Sequence, residues 1–504
     1  MRANDFGRPV RWPRAAALGL GTVGGAGVGL MAASVGLLVM DGPSVPAIMM
    51  LVVGGSVGGL IVAAGRDTLT GRPLAAVCGV LAGIVVAPSL FVGYRSNRAE
   101  EVWAVPKDHP GAAEAVGAWT TADQVVRVRP DLVTAYRTGD GGAAWTWEPP
   151  ARDTVCAMST ATHGGLGLIG HAPEGEPCRT TAALDLREGA TRWAHHDDPG
   201  RSSAGPFSRS LALAGDVAVV RDESGWRGLS AVDGRERWRA GGGEGCRPVF
   251  VDASRRTVVA VAHCPSGPGK GSGPDSASVR AEALRLDPGT GAVSTRTVLP
   301  VRDSGTRYAT VSADPLTLWV DEPGARGTRA VLAVDDRGSV RTTVPAEAAD
   351  HTLLVGGFDV YRGETFAARP LPAAVVVGNL LIAPAVKPGD LRTFRKRQGY
   401  SVDYDGRLVA ISLDDGTRRW TSDLDDETRG ITTGDGSVWV LGRRELFRID
   451  PENGRHLRVL SLYDLDQHAP VGLAVHGDRY LVVAENGTGR QPPVRALRPD
   501  FVVF

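Results

Sequence analysis

Lysine is nearly missing from this 504-residue chain: of its 56 basic residues only Lys107, Lys270, Lys387 and Lys396 are lysine. A surplus of either charge is missing as well, because 56 acidic residues balance the basic ones. A neutral chain offers no electrostatic footprint for DNA or RNA, so nucleic acid is not an expected partner. Cysteine is sparse, five in all, and no two are adjacent. Beyond residue 95 there is no HExxH, no GxSxG elbow and no phosphate-binding loop. That removes the usual sequence signs of a zinc protease, an α/β-hydrolase or a nucleotide enzyme. What the chain has in quantity is glycine, at 66, and proline, at 33, a balance suited to many turns rather than long helices.

Long apolar runs are confined to the first hundred residues. Segments 15–40, 46–65 and 73–94 carry no charged residue. Each is long enough to cross roughly 30 Å of hydrocarbon as a helix, so three transmembrane helices are expected. Cleavage of the first run as a signal peptide is the alternative, but its length and the two runs behind it favour an anchor. Arg2, Arg8, Arg11 and Arg14 precede the first run, and Arg66 and Arg72 lie between the second and third. The positive-inside rule then places tail 1–14 in the cytoplasm and everything after residue 94 outside; Arg95 and Arg98 oppose this and are outnumbered. The expected location is the cell membrane, multi-pass, with the lipid bilayer as one partner. Glycines four apart, such as Gly21 and Gly25, Gly54 and Gly58, and Gly79 and Gly83, supply faces for close helix packing or for a homo-oligomer.

After a linker at 95–114, four stretches repeat one phrase: AYRTGDGGAAW, ALDLREGATRW, AVDGRERW and AISLDDGTRRW, closing on Trp145, Trp193, Trp238 and Trp420. Weaker copies without tryptophan follow Leu284, Leu332 and Phe447, and another lies near Asp500. Marking each turn at Arg137, Asp185, Asp233, Asp287, Asp335, Asp414, Asp450 and Asp500 gives spacings of 48, 48, 54, 48, 79, 36 and 50. Such a period reads as stacked supersecondary units, none able to bury its apolar face alone. Each unit supplies about four short strands with tight glycine or aspartate turns, an antiparallel meander. Repeated radially, that is a blade of a β-propeller, so 115–504 is expected to be an all-β propeller. Eight blades are favoured; the short last unit leaves seven open, or closure by a borrowed strand.

Cys78 falls in the third apolar run and reads as a packing residue. Cys156 begins one strand and Cys178 follows the next; Cys246 and Cys264 stand likewise in a later unit. In an antiparallel pair the start of one strand faces the end of the next. Disulfides Cys156–Cys178 and Cys246–Cys264 are therefore expected, consistent with an extracytoplasmic domain; buried free thiols are the alternative.

The phrase A-x-D-x-x-T/D-G-x-x-x-W resembles the tryptophan-docking repeat of the PQQ-like, or quinoprotein-like, β-propellers, over roughly residues 115–504. The resemblance implies that Trp145, Trp193, Trp238 and Trp420 pack between adjacent blades. Dehydrogenases of that family hold PQQ and calcium through an acidic and amide cluster near the ring axis, and often carry a disulfide between neighbouring cysteines. No position here matches those ligands or the catalytic aspartate, so neither PQQ nor calcium is expected. His195, His196, Asp197 and Asp198 are metal-ligand types, but they end a strand beside Pro199 and Gly200 and read as a loop. Asp423, Asp425, Asp426 and Glu427 read the same way.

Two loops break the period. The segment 264–280 is rich in proline, glycine and serine. The longest interval ends in a basic loop with Lys387, Arg392, Arg395, Lys396 and Arg397, the best candidate for an interaction surface. The functional expectation is a non-catalytic, membrane-anchored binding or scaffold module for a protein or cell-envelope ligand. A PQQ-dependent dehydrogenase and an envelope sensor acting through a membrane partner are the alternatives.

Overall fold

The structure is a computed structural model describing residues 98–499 except 197–209, 266–278, 325, 356–373, 388–391, 397–398, 404–405, 463–469 and 489–490. The three expected membrane spans lie outside the described residues. No helix among the described residues is long and apolar enough to cross a membrane.

Among the described residues, Ala99–Pro499 form one compact unit built from eight antiparallel blade sheets and one separate two-stranded hairpin. Blades 1 to 5 run from Gly117 to Trp147, Thr154 to His196, Leu211 to Ala240, Arg247 to Val298 and Arg307 to Pro345. Blade 6 spans Thr352 to Asp423, blade 7 Thr428 to Ser461, and blade 8 begins at Pro470. Within blades 1 to 5 and blade 7, chain order is spatial order from the innermost strand outward. Blade 6 departs from this in two ways. Its inner edge is split into Thr352–Leu353 and Val375–Val377, both paired with Leu380–Val386. A separate hairpin, Arg392–Lys396 with Gly399–Asp403, is inserted before its third strand.

Period-2 alternation explains why the blades stack. In blade 7, Val438 and Val440 point into the cluster shared with blade 6, while Trp439 and Leu441 point into the cluster shared with blade 8. Both faces of a middle strand are buried, so such strands read as continuous apolar runs like VVAVAHC rather than as alternation. Eight such clusters, each drawn from two neighbouring blades, follow one another around the molecule and close between blades 8 and 1.

The ring has eight blades rather than seven, and the eighth is composite. Pro470–His476, Arg479–Ala484 and Val494–Pro499 supply three strands, and Ala99–Ala104 pairs with Val494–Pro499 as the fourth. The segment 95–114, read from sequence as a linker, thus contains an integral strand. Its pattern AEEVWA alternates too weakly to announce itself alone; the partner that makes it a strand lies almost four hundred residues away.

Candidate functional site

The outermost strands carry a repeated contact. Trp193 Nε1 donates to Ala231 O at 2.8 Å, Trp238 Nε1 to Pro288 O at 2.7 Å, and Trp420 Nε1 to Pro451 O at 3.0 Å. Trp145 Nε1 reaches Leu186 O at 3.1 Å and Gln124 Oε1 at 2.9 Å. In each case the backbone carbonyl belongs to the turn between the third and fourth strands of the next blade, while Gln124 lies on the second strand of Trp145's own blade. The indole covers that turn's glycine: Gly189, Gly234, Gly291 or Gly454. A fifth tryptophan does the same. Trp103, on the closing strand, donates to Thr138 O at 3.0 Å and lies over Gly141 of blade 1. Sequence reading missed it because the closing strand is the first in the chain, so no turn precedes it. The register gives the reason for the pattern: each tryptophan stands opposite a small residue, Ala135, Ala183, Gly228, Ala410 or Ala496, next to a bulge that frees the ring.

Backbone hydrogen bonds place the turns more accurately than the acidic residues do. Gly234 N bonds to Ser230 O and Gly416 N to Ser412 O, just as Gly189 N bonds to Asp185 O. The equivalent residues are therefore Ser230 and Ser412, not Asp233 and Asp414. Three outer strands lack the indole. Thr342 in blade 5 makes the same bond with a hydroxyl, donating to Leu413 O at 2.8 Å. Thr295 stands at that register position in blade 4 and Arg458 in blade 7.

Strand direction sorts the connections onto two faces. Turns joining first to second and third to fourth strands lie on one face, and none exceeds the seven residues 159–165. The opposite face carries the second-to-third connections and the crossings between blades, among them 105–116 and 299–306, both longer than any turn of the first face. Both disulfides sit there. Cys156–Cys178 ties the bulge at the start of blade 2 to loop 173–179. Cys246–Cys264 joins the opposed ends of the first two strands of blade 4. Lys387 is exposed on this face; Arg392, Arg395 and Lys396 lie on the first strand of the inserted hairpin, and Arg397 lies outside the described residues. The strand ends at Ala99 and Pro499 lie on the short-turn face.

The same elaborated face opens into a groove of about 1430 Å³ over the outer end of blade 7. One wall is the crossing Leu424–Asp426; the other is the closing strand and its continuation, with Glu101, Ala104 and Lys107. Phe447, Val459 and Leu462 give it an apolar floor. Asp426 is buried and accepts from three backbone amides, Glu427 N at 2.9 Å, Arg444 N at 2.7 Å and Glu445 N at 3.0 Å, so this carboxylate holds the turn rather than facing solvent. Burial pushes the Glu445 carboxyl above the ordinary range, and the nearby Asp426 and Asp425 add to the effect. Arg495 is buried in the groove wall, its Nη1 3.8 Å from Glu101 Oε2. At the rim, Lys107, Arg443 and Arg444 are exposed and make no ion pair among the described residues.

No group of three His, Cys, Asp or Glu residues suited to a metal occurs among the described residues. His195 Nε2 meets Arg227 Nη1 at 2.9 Å and His196 Nδ1 meets Thr180 Oγ1 at 2.9 Å; Asp197 and Asp198 lie outside the described residues. His456, on the groove, meets Ser422 Oγ at 2.8 Å, a nucleophile-and-base pairing by residue type. Ser422 is buried, however, and His456 packs edge-on to Phe447 with no carboxylate bonded to its other nitrogen among the described residues. A hollow of about 290 Å³ beside the innermost strands is lined by small neutral residues such as Ala118, Thr160 and Gly472.

No family model and no curated protein matches this sequence. Solved structures do match. BamB from Moraxella catarrhalis has 17% identity and a TM-score of 0.43, covering 79% of this chain and 97% of its own. The quinohemoprotein alcohol dehydrogenase ADHIIG from Pseudomonas putida HK5 has 12% identity and a TM-score of 0.47, covering 82% and 78%. The Neurospora crassa Pan2 WD40 domain has 8% identity and a TM-score of 0.43, covering 81% and 97%. These are likenesses of fold. Ligand and activity have to be argued from this chain's own residues.

Proposed function

We propose that this chain is a membrane-anchored, extracytoplasmic binding module that holds a protein or cell-envelope ligand and performs no chemistry. The observation that carries the reading is the asymmetry of the two faces. Long connections, both disulfides, the inserted hairpin and the groove gather on one face, and the other has only short turns. Loops on a rigid scaffold are where binding residues concentrate. The disulfides support an oxidising compartment, and the three apolar runs support the anchor.

Photo-crosslinking in intact cells tests this. A photoreactive residue at Lys387 or Arg444 should trap a partner, and one at Arg235, in a short turn on the opposite face, should not. Equal capture from both faces, or capture of this chain alone, would overturn the reading. Tight binding of added PQQ and calcium with oxidation of an alcohol or sugar would replace it with the dehydrogenase alternative.

A further inference from the structure

Two arginines on the elaborated face stand side by side without a counter-ion. Arg221 ends the second strand of blade 3, Val217–Arg221, and Arg247 begins the first strand of blade 4, Arg247–Ala253. Arg221 reaches across the blade junction, its Nη1 donating at 3.1 Å to the carbonyl of Pro248, the residue after Arg247. Its Nε is buried without a partner, and its Nη2 bonds to nothing among the described residues. Arg247 is exposed and makes no ion pair or side-chain hydrogen bond among them.

No described carboxylate answers this pair. Asp222 lies 3.2 Å from Arg227 Nε, and Asp303 acts on His263 but not on Arg221. Glu223 and Glu244 are exposed and pair with neither arginine. The one charge acting on Arg221 is Arg247. Burial first and that repulsion second lower the Arg221 pKa only to about 10, so it stays cationic at neutral pH. His263, opposite Arg247 in the register, adds no charge there, because burial and Arg247 hold its pKa down at about 4. The disulfide Cys246–Cys264 joins the neighbours of Arg247 and His263 and so fixes this end of the strand pair.

We propose that Arg221 and Arg247 form a seat for a phosphate monoester, the Arg221 Nη2 and the Arg247 guanidinium donating to its oxygens. Such a group carries about −1.5 to −2 charge near pH 7 and offers three acceptor oxygens, which matches two cations. Guanidinium groups fit those oxygens closely. A lone carboxylate would leave one positive charge uncompensated. The site stands apart from the binding-module reading: phosphate binding and crosslinking at Lys387 succeed or fail separately.

The test uses the full-length protein in detergent, at neutral pH in about 0.15 M salt free of phosphate. Calorimetric titration with glycerol phosphate or inorganic phosphate should show saturable binding with a dissociation constant below about 1 mM, and acetate should bind at least about tenfold more weakly. Arg221→Gln and Arg247→Gln should each weaken phosphate binding at least about tenfold, and Arg235→Gln, on the short-turn face, should not. Arg247→Gln also relieves the repulsion. Without phosphate its thermal midpoint should equal or exceed that of wild type, and added glycerol phosphate should raise only the wild-type midpoint. Short-chain phosphatidic acid distinguishes the sources. Binding as tight as glycerol phosphate or tighter assigns a lipid headgroup, and weaker binding assigns a soluble ester. Absence of saturable phosphate binding, equal affinity for acetate, or unchanged affinity in Arg247→Gln would overturn the proposal.

Discussion

The indole of Trp103 donates to the carbonyl of Thr138 at 3.0 Å, joining the first strand of the propeller to its first complete blade. The same side chain stands opposite Ala496, near the other end of the chain. One residue therefore touches both sides of the seam where the ring closes. Trp103→Ala should destabilise the propeller by about 3 kcal/mol, from lost burial and an orphaned carbonyl. Trp103→Phe, which keeps most of the ring, should cost about 1 kcal/mol. Urea unfolding of the two variants against wild type measures this. A change below about 0.5 kcal/mol for alanine, the range of ordinary surface substitutions, would mean the seam is held elsewhere.

The turn glycines differ in a way that can be separated experimentally. Gly454 has φ of 73° and would place a methyl 2.5 Å from Trp420 Cε3, whereas Gly477 has φ of 59° and open space around it. Gly477→Ala should cost about 1 kcal/mol, the left-handed strain alone. Gly454→Ala adds the displaced indole and should cost clearly more, about 2–3 kcal/mol. Similar melting temperatures for the two variants would show that the indole contact is loose.

The disulfides close loops of 22 and 18 residues in sequence. Removing either one, by Cys156→Ala with Cys178→Ala or Cys246→Ala with Cys264→Ala, should destabilise the domain by about 3 kcal/mol. Mild reduction of wild type should reproduce the loss, and have no effect on a variant lacking both. Unfolding followed with and without reductant decides it.

Stability should fall in mild acid because of His263. Burial first and the positive Arg247 second, partly opposed by Asp303, together lower its pKa from 6.5 to about 4. The ring is paired with Tyr308 OH at 2.8 Å. An unfolded histidine takes up a proton below pH 6.5 while the folded one does not until about pH 4. The folded state therefore loses stability as pH drops through that window, by at most about 3 kcal/mol. His263→Gln should flatten the dependence between those limits. An unchanged slope would place the acid sensitivity elsewhere.

Much of the architecture was legible from spacing. The repeated turn and closing tryptophan marked blades 1, 2, 3 and 6, and strand order paired the four cysteines as the structure has them. Where the phrase weakens, the register is invisible: Thr342 replaces an indole with a hydroxyl that makes the same bond, and no residue pattern announces that. Acidic residues misled in two places, because Ser230 and Ser412 hold the turn positions there. The run at Asp423–Glu427 read as a solvated loop, yet Asp426 is buried, because its amide partners come from a turn eighteen residues onward.

Local sequence determined the strands and the turns, since period-2 burial and tight turns act over a few residues. It also determined the four tryptophans of the repeated phrase and the cysteine pairs, which belong to single hairpins. Only the tertiary structure decided how the ring closes. Ala99–Ala104 becomes a strand because Val494–Pro499 offers an open edge, and Trp103 finds its turn across a different blade. The groove was decided there too. Its walls are Leu424–Asp426, Arg443–Glu445 and Glu101–Lys107, pieces far apart in the chain that meet only after the ring has formed.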